Sequence, residues 1–424
     1  MKGLLHDRNF LLIQAATLIS ATGSFMLLLA VSAELLRRSG SGLGAASVFA
    51  FQWILPVLAV SAVRRIADQP GLRRVLVLAE LAGGALSLAI GLLLTADLLP
   101  LVLGCFLLRG FGEAVTRTGR VVLLRRLFDG PRLAAAASSF NIAFYTGATL
   151  GGVAGGLVVG RLSLTEICAL DAASFVVAAL CWRALPDARA AADAAGRRGG
   201  ALREALRMMA GNPALLRQAG YVVLSTGVFQ GFHNAARTLL PMRGLGLDDR
   251  AVMHLQVASG LAIILGAVLV PLLGGLSRRR WLTPCACALA CLLLVAASRA
   301  PGLGLLIAAY LAFLVAFELA FTAAQAGLIQ AATTSQMATM QAAANAGGTA
   351  LVILVTLATG GLADLMPMAA VGPVIGVAGL TLIAGLELVA RRARAMLSQA
   401  MLSTTPPSTR RAAPVVADDS GEAR

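Results

Sequence analysis

The stretch Val75–Val121, VLVLAELAGGALSLAIGLLLTADLLPLVLGCFLLRGFGEAVTRTGRV, decides the fold. It divides between Leu98 and Leu99 into two apolar runs, and each is long enough for the ~20 residues that an α-helix needs to cross a bilayer. Strands of a membrane β-barrel need only about 10 residues and alternate in polarity. Neither property fits this stretch, so it reads as two membrane-crossing helices joined by a short turn.

The rest of the chain repeats the pattern. Of 424 residues, 58% are hydrophobic, about 246 in all, too many for one soluble core and its surface and enough for roughly twelve spans. The runs read as Phe10–Ala33, Leu43–Val63, Val75–Leu98, Leu99–Val121, Leu133–Val158, Leu162–Leu185, Ala219–Pro241, Ala251–Gly274, Trp281–Ser298, Leu303–Leu328, Met337–Ala363 and Met366–Val389. The fold class expected is an all-α membrane protein of twelve transmembrane helices in two six-helix halves. A net charge of +15 would suggest nucleic acid in a soluble chain, but aromatics are only 5% and the arginines cluster between apolar runs. The six cysteines lie within apolar stretches without C-x-x-C spacing, and the Cys285, Cys287, Cys291 group has no neighbouring His or carboxylate. Neither a metal, a disulfide framework nor a cofactor is expected.

The basic residues set the orientation. With the N-terminus placed in the cytoplasm, 27 Lys and Arg fall on the cytoplasmic side and seven, Arg237 among them, on the opposite side or its helix ends. Arg109, deep inside a span, is the one that falls to neither side. This asymmetry obeys the positive-inside rule and puts both termini in the cytoplasm, with the protein in an inner (cytoplasmic) membrane. Val31-Ser32-Ala33 could pass as a signal-peptidase site, but the apolar run before it exceeds a typical signal core.

The organisation expected is an N-terminal half over 1–185, a cytoplasmic linker over 186–217, a C-terminal half over 218–394 and a disordered tail over 395–424. The linker mixes Ala-rich helical pattern with Arg and Gly, as a surface-lying amphipathic helix would, and the tail has Pro/Ser/Thr composition. The loops RRIADQPGLRR and GGLSRRRW occupy corresponding places in the two halves, as internal repeats of secondary transporters do.

The opening RNFLLIQAATLISATGSFM, the ADQPGLRR loop, RLAAAASSFNIAFYTGATLGGVAGG and LDAASFVVAAL together resemble the major facilitator superfamily, and within it the bacterial branch of drug and enterobactin-type siderophore exporters. The likeness runs from about Leu5 to about Arg394. The loop motif keeps Asp68, Gly71, Arg73 and Arg74, but Arg64 and Gln69 depart from it. Ser24 stands where many exporters have an acid, and Ala148 replaces the proline of the span-five exporter motif. The resemblance implies that Asp68, Arg73 and Arg74 hold a gate between halves, and that Gly147, Gly151 and Gly152 form a bending, sealing contact between them. A solvated basic loop and plain tight packing at small-xxx-small spacing are the simpler readings of these residues.

Arg109 lies ten residues into its span, about 15 Å deep, where a guanidinium must face protein or a wet cavity. Glu113 and Arg117 follow at spacings of four and make an Arg–Glu–Arg stripe on one helix face. Either this is an internally neutralised structural pair, or Glu113 titrates with Arg109 as the partner that sets its affinity for the proton. Glu318, solitary in its span, is the second candidate for proton coupling, and Asp171 could couple or make a helix–helix hydrogen bond. Gln14, Gln52, Asn141, Tyr145, His233, Asn234, Gln325, Gln341 and Asn345 could line a cavity or bridge helices.

The expected function is proton-coupled efflux of a small amphipathic molecule, such as a drug, siderophore or natural product, by alternating access. Substrate, protons and the lipid bilayer are then its partners, with no nucleic acid and a monomeric state. An importer of the same fold is the alternative. A receptor or membrane enzyme is a remote one, since no Walker A, H-E-x-x-H or G-x-S-x-G spacing occurs.

Overall fold

The computed structural model describes residues 6–67, 69, 71–128, 130–186, 201–272 and 279–404. Helices account for nearly all of them. The first half comprises α1 (Arg8–Ser39), α2 (Gly42–Leu58), α3 (Val60–Ala67), α4 (Leu72–Thr95), α5 (Leu99–Leu127), α6 (Gly130–Val158) and α7 (Leu164–Arg183). After α8 (Ala201–Gly211) come α9 (Pro213–Leu224), α10 (Gly231–Leu239), α11 (Asp249–Leu272), α12 (Leu282–Ser298), α13 (Leu303–Ala331), α14 (Thr334–Leu365) and α15 (Met368–Thr404).

Local chemistry explains where these helices start and break. Asp7 accepts from the amides of Asn9 and Phe10 at 3.0 and 3.3 Å, capping α1. Ser163 and Glu166 form a reciprocal capping box on α7, and Asn212 caps α9 ahead of Pro213. α2 and α3 are one span bent by 70°, the break lying just past Pro56, whose ring removes a helical hydrogen bond. α9 and α10 are likewise one span, interrupted by a π-helical turn at Ser225–Gln230 and followed by another at Leu240–Gly244.

Counting these composites, the described residues contain the twelve expected spans. Seven helices are long and apolar enough to cross a membrane by themselves, eight with the bent pair. The others are shorter or interrupted, such as the 17-residue α12. Leu92, Leu180, Leu292, Leu354 and Val377 are exposed on the bundle exterior, as lipid-facing side chains must be. α1 packs on α6 and α7, and α4 on α5 and α7; in the second half α13 packs on α11 and α12, and α12 on α15. The halves meet chiefly where α2 runs along α14 and α6 along α11.

Several boundaries differ from expectation, α1 running on to Ser39 and α5 to Leu127. The seventh span starts at Pro213, not Ala219, so Arg217 belongs to the bundle, where its Nε donates to Glu387 Oε1 at 2.7 Å. A carboxylate on α15, which packs directly against α9, keeps Arg217 inside. Residues 395–404, expected as tail, continue α15. Of the expected linker, 201–211 form α8, a strongly amphipathic helix; 187–200 and 405–424 lie outside the described residues, as does Asp68.

Candidate substrate cavity

Between the halves lies a cavity of about 250 Å³ with walls from both. On the first-half side, α5 supplies Arg109, Gly112, Glu113, Thr116, Arg117 and Arg120, successive positions of one helical face. On the second-half side, Gln230, the last residue of the first π turn, and His233, Asn234 and Arg237 of α10 stand at i, i+3, i+4 and i+7 and form a matching polar face. The two π turns bracket that segment; such turns are frequent at functional sites and here end the α-helical run on either side of it. Trp53, Phe144, Phe175, Phe317 and Phe321 make the wall amphipathic.

The charged groups sort by partner. Arg109 Nη1 lies 2.8 Å from Asp171 Oδ2 and 3.0 Å from Ser87 Oγ, and Nη2 donates to Ser24 Oγ at 3.1 Å. Its guanidinium also stands 5.1 Å from the Phe175 ring centre. Arg117 pairs with Glu113 at 2.7 Å and packs over Trp53 and Phe144. Gln52 donates a second hydrogen bond to Glu113. Glu80, fully buried, accepts from Trp182 Nε1 at 3.0 Å and from Ser20 Oγ at 3.2 Å, with Arg120 close enough for direct charge attraction. His233 Nδ1 is 2.7 Å from the Tyr310 hydroxyl, which also donates to the His233 carbonyl at 3.2 Å.

Two charges stand apart. Glu318, at the middle of α13, has Thr322 Oγ1 at 3.2 Å as its hydrogen-bond partner and no cation in ion-pair contact among the described residues. Gly266 of α11 lies against its side chain, and Tyr145 of the other half is within electrostatic reach. Arg237, 2% exposed, donates to Gln256 Oε1 at 2.9 Å and to Asn234 Oδ1 at 3.4 Å, and its Nε has no partner.

Beyond Arg237 the halves are tied together at the face opposite the start of α1 and the end of α15. Ser32 donates to Thr238 at 3.0 Å across the halves. Further out Arg37 pairs with Asp249 at 2.9 Å. Asp364 at the end of α14 accepts from the Gly42 and Leu43 amides and the Ser41 hydroxyl, capping α2 of the other half. Arg243 joins Asp364 to the Gly40 carbonyl. Backbone approaches here are close enough that a Cβ on Gly360 would come within 2.6 Å of the Gly42 carbonyl oxygen.

The sequence profile of the Major Facilitator Superfamily matches residues 14–357. The chain belongs to this superfamily. Among solved structures, a bacterial homologue of the human lysosomal transporter Spinster, inward-facing and unoccupied, superposes with a TM-score of 0.68 at 14% identity, over 95% of this chain and 99% of that one. The nucleoside transporter NupG gives 0.72 at 15% identity over 90% and 98%. A POT family transporter bound to a thioalcohol-conjugated peptide gives 0.68 at 11% over 92% and 97%. A search of curated proteins finds no match.

Several expectations for this facilitator need correction. Arg109 and Glu113 share a helix face but are not a pair: Arg109 turns to Asp171 on α7, and Glu113 to Arg117 and Gln52. A fully buried carboxylate attracts the guanidinium more strongly than a partly exposed one on its own helix can. Asp171 is thus a helix–helix tie, one of its two readings. Gly147 and Gly151 do not face the other half: a Cβ on either would press within 2.6 Å of an α1 carbonyl oxygen, Leu18 or Thr22. Gly152 does meet the other half, packing on Gln256 and Met253 of α11. Arg73 donates to the Leu185 carbonyl at 3.0 Å, inside its own half, and Arg74 is exposed.

Gln52, Tyr145, His233, Asn234 and Glu318 do line the cavity. Gln325 and Asn345 do not, Asn345 being exposed and bonded to Gln341, and Gln14 is turned away with both amide atoms unpartnered. The side chain of Asn141 lies outside the described residues. Glu80, Arg120 and Arg237 are cavity residues that sequence reasoning missed. From the sequence Arg120 and Arg237 read as charges of the two membrane faces, although their spacing of i+3 from Arg117 and i+4 from His233 signals a shared polar face. Glu80, an isolated acid in VLVLAELAGG, carried the same signal as Arg109.

Proposed function

We propose that this facilitator is a proton-coupled exporter of a small amphipathic molecule, working by alternating access, with Glu318 carrying the coupling proton. The position of Glu318 supports this reading: an acid in the cavity wall, held by one hydroxyl and by no cation among the described residues. A carboxylate in such a place is costly when ionised and uncompensated, so it takes either a proton or a substrate group that donates to it. Binding the two at one oxygen is mutually exclusive, and mutual exclusion is what exchanges one for the other across a membrane. Glu113, already satisfied by Arg117 and Gln52, has less need of either. The ties between the halves opposite the start of α1 and the end of α15, with the termini in the cytoplasm, correspond to an inward-facing state ready to load. Its aromatic wall suits an amphipathic cargo, and the export direction follows the exporter-like sequence features.

The test is accumulation by energised everted vesicles containing the protein, screened with a panel of amphipathic aryl acids, amines and amides. Uptake should require the pH gradient and collapse with nigericin. Accumulation in right-side-out vesicles instead would identify an importer.

A further inference from the structure

Every other arginine of the cavity wall has an acid within charge attraction: Arg109 pairs with Asp171, Arg117 pairs with Glu113, and Arg120 is attracted by Glu80. Arg237 has none among the described residues. It is buried, and its acceptors are two neutral amide oxygens, the one on Asn234 at the long distance of 3.4 Å. Its Nε is a buried donor with nothing to bond. Such a group is expensive to leave in place, because a guanidinium removed from water needs an anion or a full set of acceptors. Its surroundings hold it still. The Phe49 ring centre lies 4.3 Å from its central carbon and that of Phe25 5.6 Å, both from the opposite half, while Gln256 on α11 fixes one nitrogen.

We propose that Arg237 is the docking point for an acidic group of the substrate, a carboxylate or comparable oxyanion, so that the cargo is an amphipathic organic acid. A planar carboxylate matches the guanidinium fork and would satisfy the unpartnered Nε. The aromatic rings beside Arg237 receive the apolar body. This rests on the transporter reading above and refines its substrate class. Arg237 takes the acid, and ionised Glu318 takes a hydrogen-bond donor elsewhere on the same molecule. Because Phe25 and Phe49 belong to the half opposite Arg237, an anion held there also bears on how the halves close.

The experiment is calorimetric titration of the full-length protein in nanodiscs, without any gradient, using the isosteric probes 2-naphthoate and 2-naphthamide and subtracting empty nanodiscs. The wild type should prefer the carboxylate by about tenfold or more. Arg237→Gln should bring the two probes within about twofold by weakening the carboxylate alone, and Arg237→Lys should keep part of the preference. Retained amide binding by Arg237→Gln shows that the variant folds. Equal affinities in the wild type, binding of neither probe, or an unchanged preference in Arg237→Gln overturns the proposal. Since no gradient is present, these results do not depend on whether Glu318 couples transport to protons. Failure of proton coupling would leave the anion site standing, and the reverse.

Discussion

Removing one member of the Arg109–Asp171 pair should destabilise the first half more than any other single change in the cavity wall. The pair is 2.8 Å apart, and the side chains are 7% and 0% exposed. At an effective dielectric of ~20 the attraction is about 6 kcal/mol, most of it offset by the cost of taking both charges out of water. Loss of one partner exposes that cost. Arg109→Gln leaves Asp171 with Ser87 on one oxygen and nothing on the other, so about 3–5 kcal/mol should be lost. Asp171→Asn should cost less, because Arg109 keeps Ser24, Ser87 and the faces of Phe175 and Phe106. The double variant should be less damaged than the sum of the singles by about 2 kcal/mol or more. Reversible SDS titration in mixed micelles measures all three. Losses below about 1 kcal/mol that simply add would show that water or another group already compensates these charges, and the scaffold role would fall.

Three further outcomes follow from the same geometry. Gly360→Val should prevent the halves from closing opposite the start of α1 and the end of α15, since its Cβ would lie 2.6 Å from the Gly42 carbonyl; spin-label distances across α2 and α14 should lengthen. Asp364→Ala removes the cap on α2 and the Arg243 ion pair, so a loss of ~0.5–2 kcal/mol should shift the open:closed ratio by about two- to thirtyfold in single-molecule energy transfer. Gly151→Leu should destabilise the packing of α6 on α1, whereas Gly152→Leu should leave that packing intact and disturb the α11 contact; thermal unfolding and inter-half cross-linking separate the two.

Much of the architecture is legible in the sequence because lipid imposes it. A bilayer admits few backbone solutions, so long apolar runs such as Val75–Leu98 announce their spans, and basic residues mark the loops. Which polar groups share the cavity is legible only in part. Helical spacing placed Arg109, Glu113 and Arg117 on one face, but the choice of Asp171 over Glu113 depends on how α7 packs against α4 and α5, which no spacing encodes. Arg237 illustrates the same limit. Near the end of an apolar run it looks like a boundary charge, and only the packing of α10 against α2, α11 and α14 makes it a buried residue.

The proton-carrying role of Glu318 is tested most directly in proteoliposomes, with a compound that everted vesicles accumulate. Glu318→Gln should abolish accumulation driven by a pH gradient while preserving counterflow exchange of the same compound, and Glu113→Gln should retain both. Undiminished gradient-driven accumulation by Glu318→Gln would contradict the account.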